Sequence, residues 1–199
     1  EIAQCLVGSE MCIRDRLLYF IYNGTVEITT SQASKELGLT PTSISRASRQ
    51  LEKLGLIQTM KTGKQKIIHS DSSPKELFER TQQKLLNPVK KTVYIPKNCV
   101  TSELLESGYF ALAHYTMLNV PQIKCFAIDS ISRWKDVMTN NLLDSENQMA
   151  VEMWRYNPHL LSKEDKVDEL SLALSLRDDA DERVEAAVDE MLEKLWGKI

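Results

Sequence analysis

Apolar residues recur at helical spacing between residues 41 and 54. They are separated by three, four and three positions, which predicts a helix with one buried stripe. The stripe consists of Ile44, Ala47, Leu51 and Leu54. Thr40 followed by Pro41 is a typical helix start, and Gly55 is a typical helix end. A capped amphipathic helix is therefore predicted over residues 41–54.

The opposite face of this helix is polar. It is free of acids until Glu52, and several of its side chains can form hydrogen bonds with base edges or with phosphates. Its members are Thr42, Ser43, Ser45, Arg46, Arg49, Gln50 and Lys53.

A shorter helix is predicted just before this one. Thr30, or alternatively Ser31, can cap its start, while Ala33 and Leu37 lie four positions apart on one face. Gly38 follows its end, where a positive φ angle is needed. The two helices and the tight turn between them predict a helix-turn-helix.

A short β-hairpin is predicted after the second helix. Residues 58–61 and 64–69 flank Thr62 and Gly63, and the glycine supplies the unusual φ angle that a tight turn needs. This hairpin would be the wing, over residues 58–69. The lysines that cluster at its tip are Lys61, Lys64 and Lys66.

Other elements are predicted from the same periodicities. They are the end of a helix at 17–22, a short strand at 26–28 that pairs with the hairpin, a helix at 75–86, a strand at 90–95, a break at 96–100, a helix at 103–118 interrupted near Gly108, strands at 123–128 and 150–156, and helices at 170–176 and 181–196. Residues 170–176 also fit the strand period, but they lack β-branched side chains, which favours the helix.

The predicted fold class is α+β, with an N-terminal winged helix-turn-helix and a small α+β C-terminal domain. The predicted boundaries are a non-native segment at 1–16, the winged helix-turn-helix at 17–70, a helix-strand connector at 71–99 and the C-terminal domain at 100–199.

Charge is divided unevenly along the chain. Residues 17–100 carry 13 Lys/Arg against 6 Asp/Glu, whereas residues 101–199 carry 10 against 19. A basic first half suits a polyanion, because phosphate contacts by lysine and arginine release condensed counterions. The acidic second half predicts a different partner, and the alternative is solvated surface charge that is unevenly distributed by chance.

The first residues do not fit the pattern that follows. The string CLVGSEMCIRDR, residues 5–16, resembles a translated sequencing-adapter fragment, which implies that the natural N-terminus is missing and that Cys5 and Cys12 have no biological role. The alternative is an ordinary first turn of helix.

No apolar run approaches a membrane span, no secretory segment is evident, and no C-x-x-C pattern is present. A cytoplasmic protein with free thiols and no membrane association is expected.

Residues 17–70 resemble the winged helix-turn-helix of MarR-like bacterial transcriptional regulators. The resemblance is carried by Gly38, by Ile44 six positions later, and by SISRASRQLEKLGLI running into a basic hairpin. Ser34 stands where alanine is commoner, and Ala33 where a larger aliphatic residue is usual. The resemblance implies a homodimer on a palindromic double-stranded DNA site, although no long dimerisation helix is visible.

A sequence-specific transcriptional regulator is the function these features predict. Helix 41–54 would enter the major groove, with Arg46 and Arg49 as the best candidates for bidentate contacts to guanine or for phosphate clamps. Thr42, Ser43, Ser45 and Gln50 would add base or backbone contacts. The predicted backbone contacts come from Ser31, Gln32 and Thr40 near helix ends and from Lys61, Lys64 and Lys66 in the wing, with Lys53 completing the basic face.

The rest of the chain is similar to the C-terminal domain of AbiEi-type antitoxins. The stretches that carry this resemblance are SPKELFERTQQKLLNPVKKTVYI, SGYFALAHYTML and VDELSLALSLRDDADERVEAAVDEML. The alternative function is therefore an antitoxin whose acidic domain restrains a partner toxin, with DNA binding for autoregulation. A third hypothesis is a ligand-sensing pocket near Tyr109, Phe110, Tyr115 and Trp134, although such aromatic residues are more often core.

Residue patterns that would support catalysis were not found. His69, His114 and His159 lack partners at metal-ligand spacing, and His114 is expected to be a core histidine. No glycine-rich phosphate loop or nucleophile motif occurs, and the acids of RDDADER are expected to cap a helix. The sequence predicts a protein that is not an enzyme and that needs no metal or cofactor.

Overall fold

The computed structural model describes residues 9–24, 27–63 and 65–199. The chain divides into two compact units, the first ending at Leu86 and also including Ile199, and the second running from Asn87 to Lys198. The described residues form a mixed α+β structure with seven α-helices and two sheets.

The first unit combines four helices with a three-stranded sheet. Its elements are α1 (Ser9–Tyr22), β1 (Ile28–Thr29), α2 (Thr30–Glu36), α3 (Pro41–Lys53), β2 (Gln58–Thr62), β3 (Gln65–His69) and α4 (Pro74–Thr81). The strands are antiparallel, in the order β1-β3-β2. α1 packs against α3 and α4, and α2 packs against α3. This packing leaves the remaining face of α3 in contact with solvent.

Local signals determine where α2 and α3 begin and end. Thr40 caps α3 by accepting a hydrogen bond from the backbone N–H of Ser43, as the sequence predicts. The cap of α2 is Thr29, which precedes the two predicted positions, Thr30 and Ser31. Between the helices Gly38 has φ of 60°, a conformation that glycine adopts without steric cost.

Leu54 is wrongly predicted as a core residue. It is the C-cap of α3 and 56% exposed, because it lies at the end of the helix and about 80° around its axis from Ile44, at the margin of the buried stripe. The fourth buried position is instead Ser48, whose hydroxyl donates to the Ile44 carbonyl over 3.0 Å. After Gly55, the chain returns Leu56 to the interior.

Residues 9–16 are part of α1, which runs on to Tyr22. The side chain of Arg14 is buried, so residues 9–16 include a side chain that packs within the fold. Whether the segment is a sequencing artefact stays a prediction. Residues 1–8, and Val26 of the predicted strand 26–28, lie outside the described residues.

The second unit is built around a four-stranded sheet. Its elements are β4 (Val89–Pro96), β5 (Leu105–Glu106), α5 (Gly108–Tyr115), β6 (Cys125–Ile128), β7 (Gln148–Trp154), α6 (Glu169–Leu176) and α7 (Glu182–Trp196). The strand order is β4-β7-β6-β5, with β6 and β7 parallel and the other pairs antiparallel. One sheet face carries Val93, Val151 and Phe126 in one row and belongs to the apolar core.

Two predicted helices are shorter than expected. The helix predicted over 75–86 ends at Thr81. The helix predicted over 103–118 begins only at Gly108, because Leu105–Glu106 pair with β6 as a strand and Gly108 has φ of 55°. The predictions of helices at 170–176 and 181–196 are confirmed, and Asp181 caps the last one as expected.

The predicted connector over 71–99 is divided between the units. Its helix α4 packs on α1 in the first unit, whereas its strand β4 forms an edge of the sheet of the second. The boundary between the two units therefore lies inside the predicted connector, between Leu86 and Asn87.

Candidate nucleic-acid interface

The exposed face of α3 carries a straight stripe of polar residues. Thr42, Arg46, Arg49 and Lys53 follow one another at spacings of four, three and four, and all four are exposed. Helical geometry puts them on the side opposite Ile44, which is fully buried. The stripe therefore presents two guanidinium groups and one ammonium group along a single line.

Two residues that were predicted to contact DNA, Thr40 and Ser43, interact with each other at the start of α3. The Thr40 hydroxyl accepts from the Ser43 backbone over 3.2 Å, and the hydroxyls of Thr40 and Ser43 lie 3.0 Å apart. Ser43 and Ser45 are half-buried and flank the stripe on opposite sides. Thr40 therefore stabilises the start of the helix, and the two serines lie beside the stripe.

Gln50 differs most from its predicted environment. The polar pattern put it on the solvent face, yet its side-chain oxygen is buried and, among the described residues, forms no hydrogen bond. An unsatisfied buried carbonyl oxygen is unfavourable, and an external partner could bond to it only after the Gln50 side chain turned outward.

Two lysines lie opposite each other near the hairpin tip. Lys61 on β2 and Lys66 on β3 are cross-strand partners, on the same sheet face as Thr59 and Ile68. Ile68 is buried, so this is the face that the sheet turns towards the helices. Lys61 is exposed and Lys66 half-buried, while Lys64 lies outside the described residues.

Glu52 links α3 to the hairpin. Its Oε1 accepts from the Thr59 backbone N–H over 3.2 Å and from the Thr59 hydroxyl over 2.7 Å. These hydrogen bonds, with a smaller contribution from the charge of Lys66, hold the pKa of Glu52 below its ordinary value. Sequence reasoning missed this role, although an acid in the last turn of a helix, where the dipole disfavours it, was a signal.

Ser31 and Gln32, the residues of α2 that were predicted to contact DNA, are exposed, and each interacts with a residue two to four positions away. The Gln32 amide donates to Glu36 over 3.1 Å, and the Ser31 hydroxyl lies 3.1 Å from that of Thr29. Glu36 also accepts from the Tyr19 hydroxyl, and these two bonds lower its pKa, that from Tyr19 most. Ser31 and Gln32 lie at the start of α2, in the same unit as α3.

Other expected features have mixed outcomes. His114 is not a core residue: its side chain is 43% exposed and its Nε2 lies 2.9 Å from Glu106 Oε2. In the described ranges, no group of His, Cys, Asp or Glu side chains is arranged to hold a metal ion. None of the helices in those ranges combines the length and apolar character needed to cross a lipid bilayer.

Cationic groups arranged along a helix and beside it on a hairpin can bind a polyanion, and planar guanidinium groups can also read base edges. Comparisons with protein-family models, with curated proteins and with solved structures found no match. The function of the chain is therefore inferred from this surface.

Proposed function

We propose that residues 17–70 form a winged helix-turn-helix and that the protein is a sequence-specific DNA-binding transcriptional regulator of the cytoplasm. The observation that carries the proposal is the exposed basic stripe of α3, which lies in the same unit as the lysine pair of β2 and β3. Glu52 supports it by linking the two parts. Double-stranded DNA is the partner whose geometry fits a helix flanked by a short ribbon.

α3 occupies the major groove in this proposal. Arg46 and Arg49 lie at the middle of the stripe, where their guanidinium groups can each donate two hydrogen bonds to a guanine. Thr42 is near the N-terminal end, the part of a recognition helix that meets the bases, and Lys53 reaches a phosphate at the other end.

The hairpin lies on the adjacent backbone. Like charges directly opposite each other destabilise a β-ribbon, so Lys61 and Lys66 are unfavourable partners in the free protein. A phosphate backbone relieves this repulsion and releases counterions. The pair therefore contributes affinity without contributing base specificity.

Selection of bound sequences from a random DNA pool tests the proposal directly. The wild-type chain is expected to enrich one motif, and a dimer would enrich two half-sites. The variant Arg46→Ala with Arg49→Ala should lose this enrichment while its thermal unfolding stays unchanged. The matched control removes two exposed arginines from the second unit, Arg133→Ala with Arg183→Ala. Undiminished affinity of the first variant, or no enrichment by the wild type, would sink the proposal.

A second candidate function concerns the second unit. Met117, Val120 and Leu143 are large apolar residues with 94%, 61% and 75% of their surface exposed. Exposed apolar side chains in a region with an excess of acids suit a basic partner protein. As the alternative, we propose an antitoxin that restrains a partner toxin through exposed apolar residues of the second unit.

Co-expression with the product of a neighbouring reading frame tests this alternative. A stable complex is expected to elute as one species. Met117→Asp with Leu143→Asp should release the partner, whereas the double arginine variant of α3 should retain it. If the two products elute separately, the antitoxin role is excluded for that pair.

A further inference from the structure

A cavity of about 720 Å³ lies in the second unit, on the sheet face opposite the apolar core. Tyr94, Ala150 and Cys125 form one cross-strand row over β4, β7 and β6, and all three line the cavity. Its size is within the range of small-molecule sites, about 300–1,000 Å³. Of the four aromatic residues from which the sequence predicted a pocket, only Tyr109 lines it.

The cavity depends on two small residues. Ala150 stands in the middle of the cross-strand row and leaves space above β7. Gly108, with φ of 55°, begins α5 beside the sheet, and a Cβ atom there would lie 3.3 Å from Cys125 Sγ and 3.5 Å from Glu152 Oε1. A side chain at position 108 would therefore crowd the space between α5 and the Glu152 carboxylate.

Glu152 is held in a fixed position at this cavity. Its Oε2 accepts from the Ser107 hydroxyl over 2.6 Å and from the Trp154 indole N–H over 3.0 Å. Cys125 also hydrogen-bonds to Glu152, and burial raises the pKa of its thiol well above the ordinary value, so it is a neutral donor. An ionised carboxylate accepts about four hydrogen bonds, and these three leave capacity for another donor.

The lining carries negative charge only. Glu152 and Asp179 are its acidic residues, and among the described lining residues there is no lysine or arginine. Much of the remaining wall is apolar and includes Val89, Ile123 and Leu176. A carboxylate with a fixed orientation, in a cavity with apolar walls, is complementary to a positive group attached to an apolar body.

We propose that this cavity binds a small organic cation, an amine with an apolar body whose ammonium group donates to Glu152. The apolar body fills the space above Ala150, between α5 and α6. Asp179, whose carboxylate accepts from the Tyr109 hydroxyl over 2.5 Å, adds to the negative potential at the same cavity. This inference does not rest on DNA binding by the first unit.

Three indole compounds that differ in one group test the inference by calorimetry on the full chain. Tryptamine carries the ammonium group, tryptophol a hydroxyl and indole-3-acetate a carboxylate. Tryptamine is expected to bind saturably at millimolar concentration, about 10- to 100-fold more tightly than tryptophol, the range that a hydrogen bond to a charged group contributes. Indole-3-acetate is expected not to bind.

Glu152→Gln separates charge from shape. The amide oxygen can still accept from Ser107 and Trp154, so the fold should persist while the preference for tryptamine over tryptophol disappears. Glu146→Gln removes the same charge from an exposed loop position and should leave the preference unchanged. Ala150→Leu fills the cavity and should abolish binding of both compounds.

Three results would overturn the inference. They are no saturable binding of tryptamine to the wild type, equal affinity for tryptamine and tryptophol, or an unaltered preference in the Glu152→Gln variant. Retention of the fold is checked for each variant by its circular dichroism spectrum.

Discussion

Replacing Lys61 and Lys66 by alanine removes two positive charges from one end of the proposed DNA-binding surface. The two side chains are cross-strand partners on one face of the hairpin, so a single run of phosphates can contact both. Lys66 also interacts with the charge of Glu52, whereas Lys61 is exposed. The single variant Lys61→Ala should therefore account for the larger part of the effect.

The expected magnitude follows from counterion release. Each full phosphate contact contributes about 0.9 to the slope of log K against log salt concentration, so the slope of the double variant should be smaller by up to about 1.8, with more than half of the change due to Lys61. At a salt concentration of about 0.15 M, this corresponds to roughly fivefold weaker binding for Lys61→Ala, a smaller loss for Lys66→Ala, and at most about 30-fold for both. The loss should be similar for specific and unrelated DNA sequences.

Fluorescence anisotropy of labelled DNA at a series of salt concentrations measures the slope. Lys90→Ala with Lys91→Ala is the matched control, since it removes the same charge from exposed positions on β4 of the second unit. Thermal unfolding should be unchanged or slightly raised in the hairpin variant, because repulsion between the two lysines is removed. A slope equal to that of the wild type, or an equal change in the control, would refute the placement of the hairpin on the backbone.

Two further predictions concern the individual units. Ile44→Ala should lower the free energy of unfolding by about 2–5 kcal/mol because the side chain is fully buried. Leu54→Ala should change it by less than about 0.5 kcal/mol. Urea denaturation measures both free energies, and equal losses would place Leu54 in the core. The hydrogen bond from Tyr109 to Asp179 raises the pKa of Tyr109 to about 12. Asp179→Asn should therefore return it towards about 10 in a ¹³C NMR titration of the tyrosine ring, with Tyr109→Phe for assignment. Because the raised pKa favours the neutral phenol in the folded state, its stabilising contribution is present below pH of about 10 and is lost as the pH rises towards 12. An unshifted titration in the Asp179→Asn variant would contradict this.

Local signals in the sequence were sufficient to predict several parts of the candidate site. Thr40 and Pro41 define the start of α3, and Gly63 occupies the positive-φ position of the hairpin turn. Each depends on backbone chemistry within a few residues, which does not change with the surrounding fold. The exposed arginines follow from the same helical period, because the buried stripe leaves them on the opposite side.

Features that depend on tertiary contacts were not predictable in this way. Leu54 continued the apolar period, but at the end of α3 no neighbouring element covers its side chain, which is 56% exposed. The bond between Glu52 and Thr59 joins residues whose proximity is decided by the angle between a helix and a strand. Likewise, Leu105 pairs with β6, a strand that begins twenty residues later. Local propensity does not predict a pairing between such distant segments.

The charged residues of the first unit divide according to what they contact. The two acids between residues 28 and 69 are Glu36 and Glu52, and both accept hydrogen bonds from neighbouring elements of the scaffold. The basic residues Arg46, Arg49 and Lys61 are exposed, and Lys61 faces a like charge across the hairpin. An arrangement that only stabilised the fold would pair these three cations with acids, whereas Glu52 lies near Lys66 instead. A surface that keeps its cations together, at some loss of stability, is the arrangement expected where an anionic partner binds.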